Sequence, residues 1–211
     1  MFDLAILEHC APKVARTTML AIINTESGSN PLAIGLNKGF KLKYPAKSTA
    51  QAQAWVSYLE KNNYNFDVGL AQVNIKNIHK YGYKAVDALD PCINLKMAAD
   101  ILSKNYNGAL TTSRDSTEAL QKALSAYNTG NYSAGFRNGY VQKVYANAQQ
   151  KNIVAVNNNL PPIETTMKPS KNKRTANKHL ELATASPQPK TPAQSKTLLY
   201  VRQNNAEAAL Y

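Results

Sequence analysis

A helix has to stop inside the stretch Ile22-Ile23-Asn24-Thr25-Glu26-Ser27-Gly28-Ser29-Asn30-Pro31, and the way it stops fixes where one carboxylate lies. The apolar run Met19 to Ile23 leads into Glu26. Gly28 accepts the left-handed conformation that closes helix C-termini, and Pro31 keeps the helix from resuming. Glu26 is therefore expected in the last turn, directly after buried residues. The carbonyl end of a helix is partially negative and an apolar wall removes water. Both disfavour the carboxylate, so both raise its pKa. A carboxyl group still protonated near neutral pH can act as a general acid. Taken alone, the same residues also describe a solvated Glu in a helix-end turn, which is the commoner case.

The surrounding pattern is helical. Pro12 suits the first position of the Glu26 helix, with Val14, Thr18, Ala21, Ile22 and Thr25 on one face. Ser48 is the expected N-cap of a helix over residues 48–61, striped by Ala52, Trp55, Val56 and Leu59. Further helices are predicted over residues 94–106, 117–127 and 139–150. Their inward stripes are Leu95, Ala98, Ala99 and Leu102, then Leu120, Ala123, Leu124 and Tyr127, then Val141, Val144, Tyr145 and Ala148. Residues 64–74, with Phe66, Val68, Leu70 and Val73 around Gly69, read as a turn or short strand. The expected fold is mainly α, with a small irregular or β segment, over residues 1–152.

Beyond that body the composition shifts. Asn157-Asn158-Asn159-Leu160-Pro161-Pro162 opens a stretch rich in Lys, Pro, Thr, Ser, Gln and Asn. It holds few large apolar residues to offset chain entropy, so the basic tail, 153–211, is expected to be disordered. Leu198 to Tyr211 regains apolar residues; a frayed end is expected there, with a short strand or helix on a partner as the alternative. The net charge of +12 is dispersed and makes no dense Arg-rich stripe, so nucleic acid is not the expected partner. No apolar run approaches the roughly 20 residues that span a bilayer, so no transmembrane segment is expected. The N-terminus lacks a basic region and its apolar run is too short for a secretory signal. His9, His79, His179, Cys10 and Cys92 show no metal spacing, so neither metal nor other cofactor is expected. Cys10 and Cys92 suit two reduced thiols in a reducing compartment, or a disulfide in an oxidising one.

Three further segments bear on Glu26. In Phe66-Asp67-Val68-Gly69-Leu70-Ala71-Gln72-Val73-Asn74, polar residues interrupt an apolar segment. Gln72 and Asn74 are two apart, so an extended backbone puts both amides on one face, where they suit the hydroxyl and acetamido groups of a sugar. In Leu124-Ser125-Ala126-Tyr127-Asn128-Thr129-Gly130-Asn131, a helix ends with a Tyr that can reach over a cleft. Asp90-Pro91-Cys92-Ile93-Asn94-Leu95 begins a helix after a Pro turn and carries the second cysteine. Each has a bland reading as well: turn-satisfying amides, a core Tyr before a capping turn, a buried thiol.

Taken together, Glu26-Ser27-Gly28 with Asn30-Pro31, Gly69 to Asn74, and Ala126-Tyr127-Asn128 resemble the soluble lytic transglycosylase (SLT) family, whose lysozyme-like fold cleaves bacterial peptidoglycan. Asn30 to Gly35, Val68 to Asn74, Asp90 to Leu95 and Gly135 to Val141 resemble its Vir-type subgroup, from type IV secretion systems. The likeness covers roughly residues 4–150. It implies Glu26 as the catalytic acid and then base, cleaving the MurNAc–GlcNAc β-1,4 bond with a 1,6-anhydro product. It also implies Ser27, Gln72, Asn74, Tyr127 and Asn128 as residues that hold the sugars or orient Glu26. The implied setting is periplasmic, which favours a Cys10–Cys92 disulfide. The implied partners are peptidoglycan glycan strands and secretion-system components, the latter through the tail, with the enzyme a monomer. Attraction to anionic cell-wall polymers then accounts for the positive charge. Ala71 departs from the family, many of whose members carry Met there, and a roomier sugar site is expected. Two alternatives stay open. Asp67-Val68-Gly69-Leu70-Ala71-Gln72-Val73-Asn74 also resembles the segment of animal-type lysozymes that carries their second carboxylate, which would make this a hydrolase using Glu26 and Asp67. A non-catalytic role in secretion-complex assembly is the other.

Overall fold

The computed structural model describes residues 5–37 and 39–157. The tail expected to be disordered, 153–211, lies outside them from residue 158 on, and residues 153–157 belong to the last helix. Pro12 does not begin the Glu26 helix, contrary to the sequence reading. A short helix α1 (Ala5–Cys10) comes first, Pro12 lies in the turn after it, and α2 (Arg16–Glu26) starts four residues later. Of the predicted stripe, Thr18, Ala21 and Ile22 are buried on α2, joined by Met19 and Ile23, whereas Thr25 is only half-buried and Val14, though buried, precedes the helix.

Helix α3 (Thr49–Lys61) is capped by the Ser48 hydroxyl, which accepts from the Gln51 backbone N–H, and it buries Ala52, Val56 and Leu59. On either side of it lie the strands of a small antiparallel sheet: β1 (Ile34–Leu36), β2 (Phe66–Val68) and β3 (Val73–Asn74), in that order across the sheet. The register pairs Ile34 with Val68, Leu36 with Phe66 and Asp67 with Asn74. Asn74 also caps α4 (Ile75–Lys80), accepting from the Lys76 N–H. A 3-10 turn over Ala85–Leu89 leads to α5 (Pro91–Leu110). This helix is longer than its apolar stripe suggests. Pro91 fits the first turn, and Asp90 caps it by accepting from the Ile93 N–H. At its far end Gly108 is accommodated because a Cβ there would meet the Tyr132 hydroxyl.

Helix α6 (Ser116–Thr129) is capped by Asp115 and closed by left-handed Gly130. A single turn, α7 (Ala134–Arg137), precedes α8 (Tyr140–Asn157), which runs beyond the expected end at residue 150. The core gathers around α5, whose Leu95, Met97, Ala98 and Leu102 are essentially inaccessible. Helix α6 packs along it, α1 closes one end, and α2 packs on α8. A disulfide joins Cys10 of α1 to Cys92 in the first turn of α5, with the Cα atoms 5.2 Å apart. No helix among the described residues is long and apolar enough to cross a membrane.

Candidate active site

Helix α2 ends at Glu26, as the sequence predicts. Ser27 forms the C-cap, its N–H donating to the Ile23 carbonyl, and Gly28 follows with φ +61°. The Glu26 carboxyl lies where that end meets α8, and its Oε1 accepts a 2.5 Å hydrogen bond from the Tyr140 hydroxyl. Desolvation by burial dominates its electrostatics and pushes the pKa up to about 7. The Tyr140 hydrogen bond and the Lys143 charge pull the other way, while the negative charge of Asp67 adds to the rise. Near neutral pH this carboxyl is therefore divided between acid and carboxylate, the condition under which one group can both give and take a proton. Tyr140 is itself buried, and burial together with the charge of Glu26 holds its phenol protonated, with a pKa well above the ordinary value.

Glu26 opens into a polar cleft of about 640 Å³. Gln72 brings the turn between β2 and β3 to the floor of that cleft, and most polar atoms of the turn are held. The Ser27 hydroxyl donates to the Leu70 carbonyl at 2.7 Å. The Tyr127 hydroxyl donates to the Ala71 carbonyl at 2.7 Å. Asn94, fully buried on α5, accepts from the Ala71 N–H at 2.9 Å and donates to the Val68 and Ala88 carbonyls. Gly69, at φ +80°, fits because a Cβ would collide with the Asn94 amide and the Ala88 carbonyl. The Gln72 amide donates to the carbonyls of Gly69 and Ala33 at 2.9 and 3.1 Å.

The extended geometry expected through Gln72 does not occur. Gln72 has φ +47°, a left-handed conformation held by those two bonds, and β3 begins only at Val73. Gln72 and Asn74 nevertheless both line the cleft, together with Glu26, Asp67, Tyr127 and Asn128. Ser27 is not among the lining residues; its hydroxyl is spent on the floor. Ala71 is fully buried and does not line the cleft either, so the expected roominess has no counterpart at this position.

Asp67 faces the cleft from β2 with both oxygens engaged. Oδ1 accepts from Asn74 at 2.7 Å and Oδ2 from Asn37 at 3.1 Å. Burial raises its pKa, and the two amides oppose the rise. Asn74 Nδ2 also reaches Asn65 Oδ1 and the Phe66 carbonyl, so this wall is a network of amides around one carboxylate. Asn128 Oδ1 accepts from Asn138, which ties the end of α6 to the segment before α8.

Sequence reasoning did not single out Tyr140, although it touches Glu26 directly. It lies 114 residues away on an apolar helix face, and a phenol among apolar stripe residues is the signal that could have marked it. The amides Asn37, Asn65 and Asn105 and the lysines Lys76 and Lys80, all lining the cleft, were missed as well.

Comparison with known proteins supplies independent information. The family model described as the transglycosylase SLT domain matches residues 3–153. The chain is similar to the type IV secretion system protein virB1 of Brucella abortus, 42% identical over 161 residues, covering 72% of this chain and 67% of the relative. It is also similar to the protein virB1 of Agrobacterium fabrum, 39% identical over 142 residues, covering 67% of this chain and 57% of the relative. No solved structure matches it significantly.

Proposed function

Because this chain belongs to the transglycosylase SLT domain family and is a peptidoglycan lytic transglycosylase, we propose that Glu26 is its single catalytic acid and base and that the product is a 1,6-anhydro sugar. The observation that carries this is the Glu26 carboxyl itself: desolvated, with a pKa raised to about 7, bonded by Tyr140 and open to an amide-lined cleft. In the acid form it gives its proton to the glycosidic oxygen between MurNAc and GlcNAc, and the bond from that oxygen to the anomeric carbon breaks. Positive charge develops at the anomeric carbon, where the sugar's own acetamido group stabilises it. The Glu26 carboxylate then takes the proton of the muramyl C6 hydroxyl, and that oxygen bonds to the anomeric carbon. The enzyme ends as it began, and no water is consumed. Tyr140 orients the carboxyl and steadies its ionised form between the two transfers. Gln72, Asn74, Tyr127 and Asn128 shape the sugar site, while Ser27 acts from behind by fixing the floor.

The rival is a hydrolase in which Asp67 is a second carboxylate. The hydrogen bonds of Asp67 favour the single-carboxylate scheme, since Asn37 and Asn74 already engage both its oxygens. The virB1 relatives support placing the reaction in the periplasm, where it would open the wall locally for a type IV secretion system. They also support secretion-system components as partners.

The test is mass spectrometry of muropeptides released from purified peptidoglycan by the wild type and by Glu26→Gln. Anhydromuropeptides from the wild type and none from the variant are expected. Reducing ends instead would move the assignment to a hydrolase and bring Asp67 forward. No release by the wild type, where a control enzyme works, would favour an assembly role.

A further inference from the structure

Two lysines stand on one rim of the cleft without an evident partner. Lys76 and Lys80 lie one turn apart on α4, both line the cleft, and both are exposed. Among the described residues neither has a carboxylate within ion-pair distance. By contrast, Lys13 and Lys104 pair with Asp100, and Lys122 with Glu118. The rim lysines do not serve the cleft's own carboxylates either. The cation acting on Glu26 is Lys143, and Asp67 is bonded by Asn74 and Asn37.

Local stability gives no reason for Lys76. Lys76 sits in the first turn of α4, at the helix end where the aligned peptide dipoles favour anions. That first turn contains no acidic residue. Lys80 lies in the last turn, where a cation suits the dipole, yet it stands one turn from Lys76, at the spacing where like charges repel. A like-charged pair that faces the cleft, with Lys76 at the end of the helix that disfavours cations, is suited to negative charge carried in by a ligand.

We propose that Lys76 and Lys80 recognise the carboxylates borne by the muramyl units of the glycan, so that the cleft selects muramyl strands over neutral N-acetylglucosamine polymers. This rests on the peptidoglycan reading above. The glycan offers two sources of such carboxylates: the lactyl group of a bare muramyl unit and the peptide stems attached to it.

The experiment measures calorimetric affinities of the full chain carrying Glu26→Gln, which blocks turnover, for three probes. They are a muramyl tetrasaccharide bearing tripeptide stems, the same tetrasaccharide with the stems removed by an amidase, and chitotetraose. Adding Lys76→Ala and Lys80→Ala is expected to weaken the stem-bearing probe roughly five- to tenfold, the range that two solvent-facing charge contacts support. Affinity for chitotetraose should stay within about twofold. Raising the salt should shrink the difference between variants, and Lys76→Arg with Lys80→Arg should restore most of the affinity. A loss confined to the stem-bearing probe supports stem carboxylates; a loss confined to the stem-free probe, where the amidase has freed the lactyl carboxylate, supports the lactyl group; a loss on both supports recognition of either carboxylate. The proposal is overturned by an equal loss on chitotetraose, by no loss on any probe, or by failure of the arginine pair to restore affinity. Binding of all probes with no lysine effect overturns this inference alone. If the Glu26→Gln chain with both lysines intact binds none of them, the inference and the peptidoglycan reading fall together.

Discussion

Holding Glu26 as a carboxylic acid near neutral pH has a thermodynamic consequence that needs no substrate to observe. Its folded pKa is about 7 and its reference value 4.5. Below the lower value both folded and unfolded chains carry the proton and the group has no effect on stability. Between the two, the unfolded chain has released a proton that the folded chain keeps, so stability falls as pH rises. Above about 7 both are ionised and the loss is complete. At about 1.4 kcal/mol for each pH unit between the two values, the full effect is about 3 kcal/mol. The carboxyl opens to the cleft, and water there screens part of it, so about 2 kcal/mol is the working figure. Glu26→Gln removes the titration and keeps an oxygen that can accept from Tyr140. The variant is therefore expected to match the wild type near pH 4.5 and to exceed it by about 2 kcal/mol at pH 8. Urea unfolding of both proteins at pH 5, 6, 7 and 8, with the disulfide intact, gives the difference directly. Asp67, whose pKa is also raised, titrates in both proteins and largely cancels. A difference that stays flat across this range would refute the reading of Glu26 as a buried acid.

Three other outcomes are expected. Tyr140→Phe removes a hydrogen bond that lowers the Glu26 pKa, so the alkaline limb of the cleavage profile should move to higher pH, measured as initial muropeptide release between pH 6 and 9. Asn94→Ala leaves the Ala71 N–H and two carbonyls without their buried partner, at a cost of about 2–4 kcal/mol, read as a lower urea midpoint. Reducing the Cys10–Cys92 bond, whose cysteines are 82 residues apart, is expected to cost about 4.5 kcal/mol if chain entropy dominates, measured by unfolding with and without reductant.

What could be read in the sequence was what local chemistry decides. The end of α2 is set by Gly28 and Pro31, and the start of α3 by Ser48, so both were legible. Segment 64–74 was recognisable as non-helical because its apolar residues alternate around Gly69. The left-handed Gln72 was not, since its backbone is held by bonds to Ala33 and Gly69 rather than by any turn-forming residue of its own. Helices α4 and α7, at six and four residues, are too short to show a periodic stripe. Pro12 was compatible with a helix start and with a turn, and the packing of α1 chose the turn. The contact between Tyr140 and Glu26 is purely tertiary: nothing within either local segment signals that α8 lies against the end of α2.

The turn beneath the cleft is pinned at Leu70 by a residue capping α2, at Ala71 by α5 and α6 together, and at Val68 by α5 again. So held, the turn is a datum surface defined by three helices, and under the proposed mechanism the spacing between Glu26 and a seated sugar inherits the accuracy of their packing. Errors therefore propagate inward. On that mechanism, a cavity opened in the α5–α6 seam would tilt the turn beside Glu26 and slow turnover while leaving the outer rim of the cleft in place.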